Sequence, residues 1–232
     1  MSEVLVNPYR YAPAGFDKSG ILVYYQFCES SGDLINKATT ANGFSDGLGN
    51  AQDSDSVGGS VVYGESGIIG DAYDFNGTSS TYVGLPGSIV SGTGAYSFNI
   101  WLYHDAEVGG NDTVLRCFNQ GIAQYQGATD KYIAGNGPVL ATTSTIGLNS
   151  WDMLTYTRDA SNNATVYFNG ESENTGSNSV NLATGAWQIG GRSTGVEMWN
   201  GKVDELLVAD IELSADQVTE LYNDGAGLNL LA

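Results

Sequence analysis

Residues 199–223 read WNGKVDELLVADIELSADQVTELYN and combine a strand pattern with a helix start. The apolar run at 202–210 predicts a β-strand. Ser214 is suited to cap a helix, and Gln217 three residues later can reach back to complete a capping box. The stretch therefore predicts a strand followed by one short helix that stops near Gly225.

One face of this predicted helix is apolar. Val218, Leu221 and Tyr222 recur at i, i+3 and i+4, the spacing of a single helical face. Leu213, just before the cap, can pack on Val218 as a hydrophobic staple. We expect the helix to lie flat on a β-sheet.

The remaining sequence indicates an all-β chain. Of 232 residues, 32 are glycine and 41% are hydrophobic, which suits many short strands and a buried core. There are 8 Lys and Arg residues against 26 Asp and Glu residues, a net charge of −18. Such a surface repels nucleic acid and anionic membranes, so neither a nucleic-acid partner nor membrane insertion is expected.

The segment at 95–105, AYSFNIWLYHD, shows the strand pattern most clearly. Tyr96, Phe98, Ile100 and Leu102 point to one face, and Ser97, Asn99, Trp101 and Tyr103 point to the other. Further strands are predicted at 20–29, 71–85 (two pieces), 112–119, 121–127, 131–136, 151–159, 164–172, 187–191 and 202–210.

The turn signals and strand number predict the fold class. Asn169-Gly170 and Asn200-Gly201 are predicted hairpin turns. About a dozen short strands indicate a two-sheet antiparallel sandwich or jelly roll. We expect an extended N-terminal arm at 1–17 and one β-sandwich domain at 18–232.

The reactive side chains are few. Cys28 and Cys117 are predicted to be reduced core residues, with a single disulfide as the alternative. His104 is the one histidine, which excludes a multi-histidine zinc site within one chain and argues against a Ser-His-Asp triad. In the Tyr103-His104-Asp105 run, a surface hydrogen bond between the histidine and Asp105 is expected.

The stretch at 199–223 resembles the C-terminal signature of the LamG-type, concanavalin A-like jelly rolls. Other segments resemble that family in the same order along residues 20–224: GILVYYQFCESSG, GDAYDFNGTSSTYV, YSFNIWLY, SWDMLTYTRDASNNATVYFNGE and WQIGGR. The resemblance implies a two-sheet jelly roll with one short C-terminal helix. This fold carries enzymes, lectins and adhesive modules alike, so fold alone does not give function.

The acidic residues do not match a glycosidase. Glycoside hydrolysis needs two carboxyl groups flanking the sugar bond. The nearest acidic clusters, Glu171-Ser172-Glu173 and Asp204-Glu205, lack the spacing found in related hydrolases. We therefore expect a non-catalytic protein, with glycoside hydrolase as a remote alternative.

Calcium is the candidate ligand implied by the resemblance. No cofactor is required, but family members hold one structural Ca²⁺ with backbone carbonyls and the Asp that maps to Asp204. The alternative is that Asp204 accepts backbone N–H groups in a turn. Asn76 and Ser79-Ser80 depart from the acidic residues usual in the family and weaken a calcium site there.

Exposed aromatic rings would be needed to bind a sugar. Tyr103, Tyr125 and Tyr132 are the candidate glycan-binding residues, and a cell-surface glycan is the candidate ligand. Trp101, Trp151 and Trp187 stand at core positions of the family and are expected to pack.

The first function hypothesis is a phage virion component: a capsid decoration, spike or tail-fibre protein at the virion surface. We expect no signal peptide at residues 1–16, and the aromatic arm with Pro8, Tyr9, Tyr11 and Phe16 is predicted to contact a neighbouring subunit. The partners would be copies of the chain itself, as a homo-oligomer, or capsid or tail subunits. The alternative is a secreted carbohydrate-binding module.

Overall fold

The computed structural model describes residues 15–118, 120–137, 139–192 and 194–232. These residues form fifteen strands and one α-helix. The elements are β1 (Ile21–Tyr25), β2 (Ser56–Gly58), β3 (Val62–Ser66), β4 (Asp71–Asn76), β5 (Tyr82–Leu85), β6 (Tyr96–His104), β7 (Asn111–Cys117), β8 (Gln120–Gln126), β9 (Lys131–Ala134), β10 (Leu140–Ala141), β11 (Trp151–Arg158), β12 (Asn163–Phe168), β13 (Glu171–Ser177), β14 (Trp187–Ile189), β15 (Asn200–Ala209) and α1 (Ala215–Tyr222).

The strands form two antiparallel sheets. The larger has the order β13-β12-β11-β6-β15-β4-β3, with β1 also paired to β15. The smaller has the order β10-β9-β8-β7-β14-β5-β2. The predicted two-sheet antiparallel sandwich with a short C-terminal helix is confirmed.

Strand β6 shows how the sequence pattern builds the core. Tyr96, Phe98, Ile100 and Leu102 are buried between the two sheets, as their alternation predicts. Trp101, on the opposite face of the strand, belongs to a second apolar cluster outside the larger sheet. The larger sheet therefore buries side chains on both of its faces.

Helix α1 covers this outer face. Ser214 accepts a hydrogen bond from the Gln217 N–H, and the Gln217 side chain accepts one from the Ser214 N–H, so the predicted capping box is present. Val218 and Leu221 are buried. The α-helix ends at Tyr222, where Asn223 adopts a left-handed backbone with φ of 49°, and a short 3-10 turn continues to Gly225, near which the helix was expected to stop. Of the helices in the described ranges, none has the length and apolarity needed to cross a bilayer.

Strand β15 changes partner halfway along its length. Residues 200–203 pair with β4, and residues 206–209 pair with β1. The register against β6 shifts between Asp204 and Leu207, which marks a β-bulge that follows Asp204 and includes Glu205. The two carboxylates therefore lie where β4 and β1 meet end to end along one strand.

One of the two predicted Asn-Gly turns is correct. Asn169-Gly170 joins β12 to β13 with φ of 50° and 83°, as a tight hairpin requires. Asn200-Gly201 is instead the start of β15, so that prediction is wrong. Glycine is needed at 201 because a Cβ there would overlap the Tyr103 carbonyl oxygen of the neighbouring strand.

The cysteines are both free. Cys117 is buried in the core, as expected, but Cys28 is exposed because β1 ends three residues before it, at Tyr25. The prediction of reduced cysteines is confirmed, and the core position is correct for Cys117 alone.

Candidate functional site

The outer face of the smaller sheet carries polar side chains in strands whose inner face is apolar. In β7, Leu115 and Cys117 point into the core while Arg116 points outward. In β14, Trp187 and Ile189 point inward, and Gln188 lies on the outer face directly opposite Arg116. The alternation of each strand thus places an amide beside a guanidinium on this face.

Glycines lie opposite these two side chains on the neighbouring strands. Gln188 also lies opposite Gly84 of β5, and Arg116 lies opposite Gly121 of β8. A Cβ at Gly121 would come within 2.6 Å of the Gln124 side chain, so that side chain lies over the glycine. A Cβ at Gly84 would overlap the Ser56 hydroxyl oxygen, so neighbouring side chains cover both glycines.

Tyr82 borders this row. It is half-buried on β5, and its ring lies over the backbone of Gly58, where a Cβ would come within 3.0 Å of the ring. Val57 and Val83, on the other face of the same two strands, point to the core. Tyr82 thus lies on the outer face, with its ring packed over Gly58 of the neighbouring strand.

Hydrogen bonds position one of the two glutamines and leave the other available. The Gln124 amide donates to the Thr113 hydroxyl at 2.7 Å. Within the described residues the half-buried Gln188 amide makes no hydrogen bond. We define the outer polar face as Tyr82, Thr113, Arg116, Gln124 and Gln188.

Two arginines and one glutamate form a charged cluster at one side of the outer polar face. Arg116 Nη1 donates to Glu197 Oε2 at 2.8 Å, and Arg192 Nη1 lies 3.9 Å from the same oxygen. Arg116 is 2% exposed, and burial, followed by the charge of Arg192, lowers its pKa. The segment after β14 thus supplies both the carboxylate and the second guanidinium.

The predicted sugar-binding tyrosines are not brought to one surface. Tyr103 lies on β6 of the larger sheet, edge-on to Trp151 with ring centroids 5.6 Å apart. Tyr125 and Tyr132 lie on β8 and β9 and are buried between the sheets, because their strand positions face the core. The prediction needed exposed rings, and for Tyr125 and Tyr132 the burial contradicts it.

The tryptophans predicted to pack do so. Trp187 is buried in the core between the sheets, and Trp101 is buried in the cluster under α1. Trp151 is half-buried against that same cluster.

Asp204 accepts backbone N–H groups. Its Oδ2 accepts from Ile68 and Ile69 at 2.9 and 3.1 Å, and its Oδ1 accepts from Glu205 at 2.8 Å. Burial, then the adjacent Glu205, raises its pKa well above the usual range. Among the described residues, no three or more His, Cys, Asp or Glu side chains are grouped as a metal would need. A calcium ion held by one carboxylate and backbone carbonyls stays a prediction.

His104 differs from its expected role. It is buried and stacks on Trp199 with ring centroids 4.6 Å apart. Its Nε2 lies 3.4 Å from Asp112 Oδ2, and Asp112 also accepts the N–H groups of Val108 and Gly109. The expected surface contact with Asp105 is wrong, because the register of β7 brings Asp112 to the histidine.

The N-terminal arm lies largely outside the described residues. Pro8, Tyr9 and Tyr11 fall there, and their predicted contact with a neighbouring subunit is untested. Phe16 is described, and it packs in the apolar cluster under α1. For Phe16 the expectation of a contact with another subunit is corrected, because the chain's own fold buries it.

Sequence reasoning missed the outer polar face. A signal existed, since Arg116 and Gln188 each stand between two core residues of a predicted strand. The missing information was the strand order β7-β14-β5, which joins segments distant in the sequence.

Comparison with solved structures finds the same fold in several other proteins. Domain 4 of AbnA, a GH43 extracellular arabinanase from Geobacillus stearothermophilus solved with arabinotriose, is 20% identical, with a TM-score of 0.62 over 86% of this chain and 97% of that one. The botulinum neurotoxin serotype G binding domain is 15% identical, with a TM-score of 0.66 over 88% of this chain and 51% of that one. The present chain thus spans about half of the neurotoxin domain.

A third similar structure is a putative carbohydrate binding protein from Bacteroides ovatus. It is 17% identical, with a TM-score of 0.54 over 64% of this chain and 46% of that one. No curated protein sequence matches this chain. At such identities these likenesses are evidence of fold.

A family model gives the assignment. The model Laminin_G_3, described as the concanavalin A-like lectin/glucanases superfamily, matches residues 76–219, more than half of the chain. The match contains β5 to β15 and most of α1, and so includes all of the outer polar face. This chain belongs to the concanavalin A-like lectin/glucanases superfamily.

Proposed function

We propose that this chain is a non-catalytic glycan-binding module whose ligand lies on the outer polar face. The observation that carries the proposal is the contrast between the two sheets. The apolar cluster under α1 lies on the outer face of the larger sheet, whereas the smaller sheet presents the half-buried amides of Gln124 and Gln188 and the half-buried ring of Tyr82 on its outer face.

The chemistry of this face suits a sugar. Sugar hydroxyls both donate and accept, and a primary amide offers both functions. The Gln188 amide makes no hydrogen bond within the described residues, and Tyr82 supplies an apolar ring surface with a polar tip.

The similar structures support the same class of ligand. Domain 4 of AbnA was solved with arabinotriose, and the Bacteroides ovatus protein is described as carbohydrate binding. Since both share only the fold with this chain, they guide the choice of probes.

The carboxylate on this face argues for binding without hydrolysis. Glycosidases need two carboxyl groups placed on either side of the sugar bond, one of them free to give a proton. Glu197 is instead held by the Arg116 guanidinium at 2.8 Å. We propose that glycans bind here unchanged.

A glycan array followed by calorimetry on the best ligand tests this proposal. The array includes arabinan, β-glucan, galactan and sialylated oligosaccharides, and products are checked for new reducing ends. Gln188→Ala is expected to weaken binding about tenfold, the loss of one or two hydrogen bonds.

The matched control is Thr175→Ala, a solvent-exposed strand position on the larger sheet. It is expected to leave binding unchanged. Absence of binding on the array, or equal binding by Gln188→Ala and the parent chain, would exclude this site.

The place of action is also proposed. We propose an extracellular or particle-surface location, since a glycan-binding module acts where glycans are exposed. The phage-virion hypothesis is a more specific version of this, and its support is the aromatic arm in the sequence.

Light scattering on the full chain and on a chain lacking residues 1–14 tests the virion hypothesis. The truncation keeps Phe16, which packs in the apolar cluster under α1. A full-length oligomer that dissociates on truncation would support it, and a monomeric full-length chain would count against arm-mediated assembly.

A further inference from the structure

Two arginines share a single carboxylate beside the outer polar face. Arg116 Nη1 lies 2.8 Å and Arg192 Nη1 lies 3.9 Å from Glu197 Oε2. Two positive charges against one negative charge leave an excess of one positive charge at this point. The whole chain has a net charge of −18, so this local charge has the opposite sign to that of the protein.

The two guanidiniums differ in what they are free to bind. Arg116 is 2% exposed and donates to Glu197 and to the Phe118 carbonyl. The Arg192 side chain is 35% exposed and, within the described residues, donates no hydrogen bond within 3.5 Å. Arg116 therefore serves to hold Glu197, and Arg192 has donors available for a ligand.

The position of this group connects it to the glycan face. Arg116 lies opposite Gln188 in the strand register, and Arg192 follows Gln188 by four residues in the same segment. The repulsion between the two guanidiniums contributes to the lowered pKa of Arg116. A second anion at Arg192 would offset that repulsion.

Resting on the glycan-binding function proposed above, we infer that the preferred ligand carries a carboxylate, as a uronic or sialic acid does, and that Arg192 binds it. A guanidinium and a carboxylate pair through two parallel hydrogen bonds, which a neutral sugar cannot offer. The repulsion from distant acidic residues is screened beyond about 8–10 Å at physiological salt, so the local charge decides the contact.

Calorimetric titration of the full chain with matched probe pairs tests this inference. The pairs are tetragalacturonate against its methyl ester, and sialyllactose against lactose, so each pair tests for the charge. At least one carboxylated probe is expected to bind about fivefold to tenfold more tightly than its neutral partner. The preference is expected to shrink as NaCl rises from about 50 to about 500 mM.

Three variants distinguish a direct contact between Arg192 and the ligand carboxylate from a general effect of net charge on binding. Arg192→Gln is expected to abolish the preference for carboxylated probes. Arg192→Lys is expected to retain part of that preference, because the positive charge stays while the parallel N–H donors of the guanidinium are lost. Lys18→Gln removes the same positive charge as Arg192→Gln, but at a site beside Phe44 of the apolar cluster under α1. It is expected to leave the preference for carboxylated probes unchanged.

The outcomes are distinguishable. A neutral sugar bound as well as or better than its carboxylated partner, or a preference that survives Arg192→Gln, overturns the inference and leaves the glycan-binding function intact. If none of the four probes binds and the array is also blank, both proposals fail.

Discussion

The indole of Trp101 and the phenol ring of Tyr222 are stacked, with ring centroids 5.7 Å apart and ring planes 13° from parallel. Trp101 lies on a central strand of the larger sheet, and Tyr222 is the last residue of α1. This contact packs the end of α1 against the outer face of that sheet. It is one reason why the smaller sheet is the one with an accessible polar face.

Tyr222→Ala is therefore expected to lower the free energy of unfolding by about 2 kcal/mol, because it removes a large ring from an aromatic contact. Urea unfolding followed by tryptophan fluorescence measures the change. Glu220→Ala, a half-exposed position on the same helix, should stay within about 0.5 kcal/mol of the parent. Equal stability of the parent and Tyr222→Ala would mean that the stack does not hold the helix.

The buried carboxylate of Glu205 predicts a pH dependence of stability. Burial raises the pKa of Glu205 to about 8, and its carboxylate accepts a hydrogen bond from the Tyr24 hydroxyl. The unfolded chain has an ordinary glutamate pKa near 4.5. Between these values the folded state holds a proton that the unfolded state has lost.

The stabilisation from this proton is fully present below the unfolded pKa and is lost as the pH rises through the folded pKa. The free energy of unfolding should thus fall as the pH rises from about 4.5 to 8, and the raised pKa of the adjacent Asp204 acts in the same direction. Glu205→Gln keeps an acceptor for Tyr24 and should reduce this slope. Identical slopes for the two proteins in urea titrations at several pH values would contradict the prediction.

Arg158 holds two loops at one end of the sandwich. Its guanidinium donates to the carbonyls of Gly92, Gly94 and Val180 at 2.8–3.2 Å, and it lies 4.6 Å from the centre of the Tyr96 ring. It is almost fully buried. A single ammonium group cannot reach all three carbonyls.

Arg158→Lys should therefore cost about 2–4 kcal/mol of stability, since buried carbonyls lose their donors. Arg192→Lys is the matched control, because that arginine is partly exposed and donates no hydrogen bond within the described residues; it should change stability by less than about 0.5 kcal/mol. Comparable losses in both variants would show that the loop contacts of Arg158 are not the source of the effect.

The calcium prediction has a direct test at Asp204. Three backbone N–H groups already surround this carboxylate, so we expect the melting temperature to be the same in EDTA and in excess Ca²⁺. A rise with Ca²⁺ that Asp204→Asn removes would instead support the metal site that the family resemblance implies.

Local patterns predicted much of the fold. The alternation of β6 and the capping box at Ser214 depend on residues next to each other in the chain, and both occur in the structure. The prediction of a turn at Asn200-Gly201 was wrong because its outcome depends on a residue distant in the chain. Whether a glycine makes a turn or a close strand contact depends on the neighbouring strand, here the Tyr103 carbonyl on β6.

The sequence by itself determined the class of the fold, the position of the helix and the excess of negative charge, since these depend on composition and on spacing within one segment. Only the tertiary structure decided which polar residues meet. Gln188, Arg116 and Gly84 come from three separate segments, and they share one face because β14 pairs with β7 on one side and with β5 on the other. Strand pairing is set by the packing of the whole core, and no single segment encodes it.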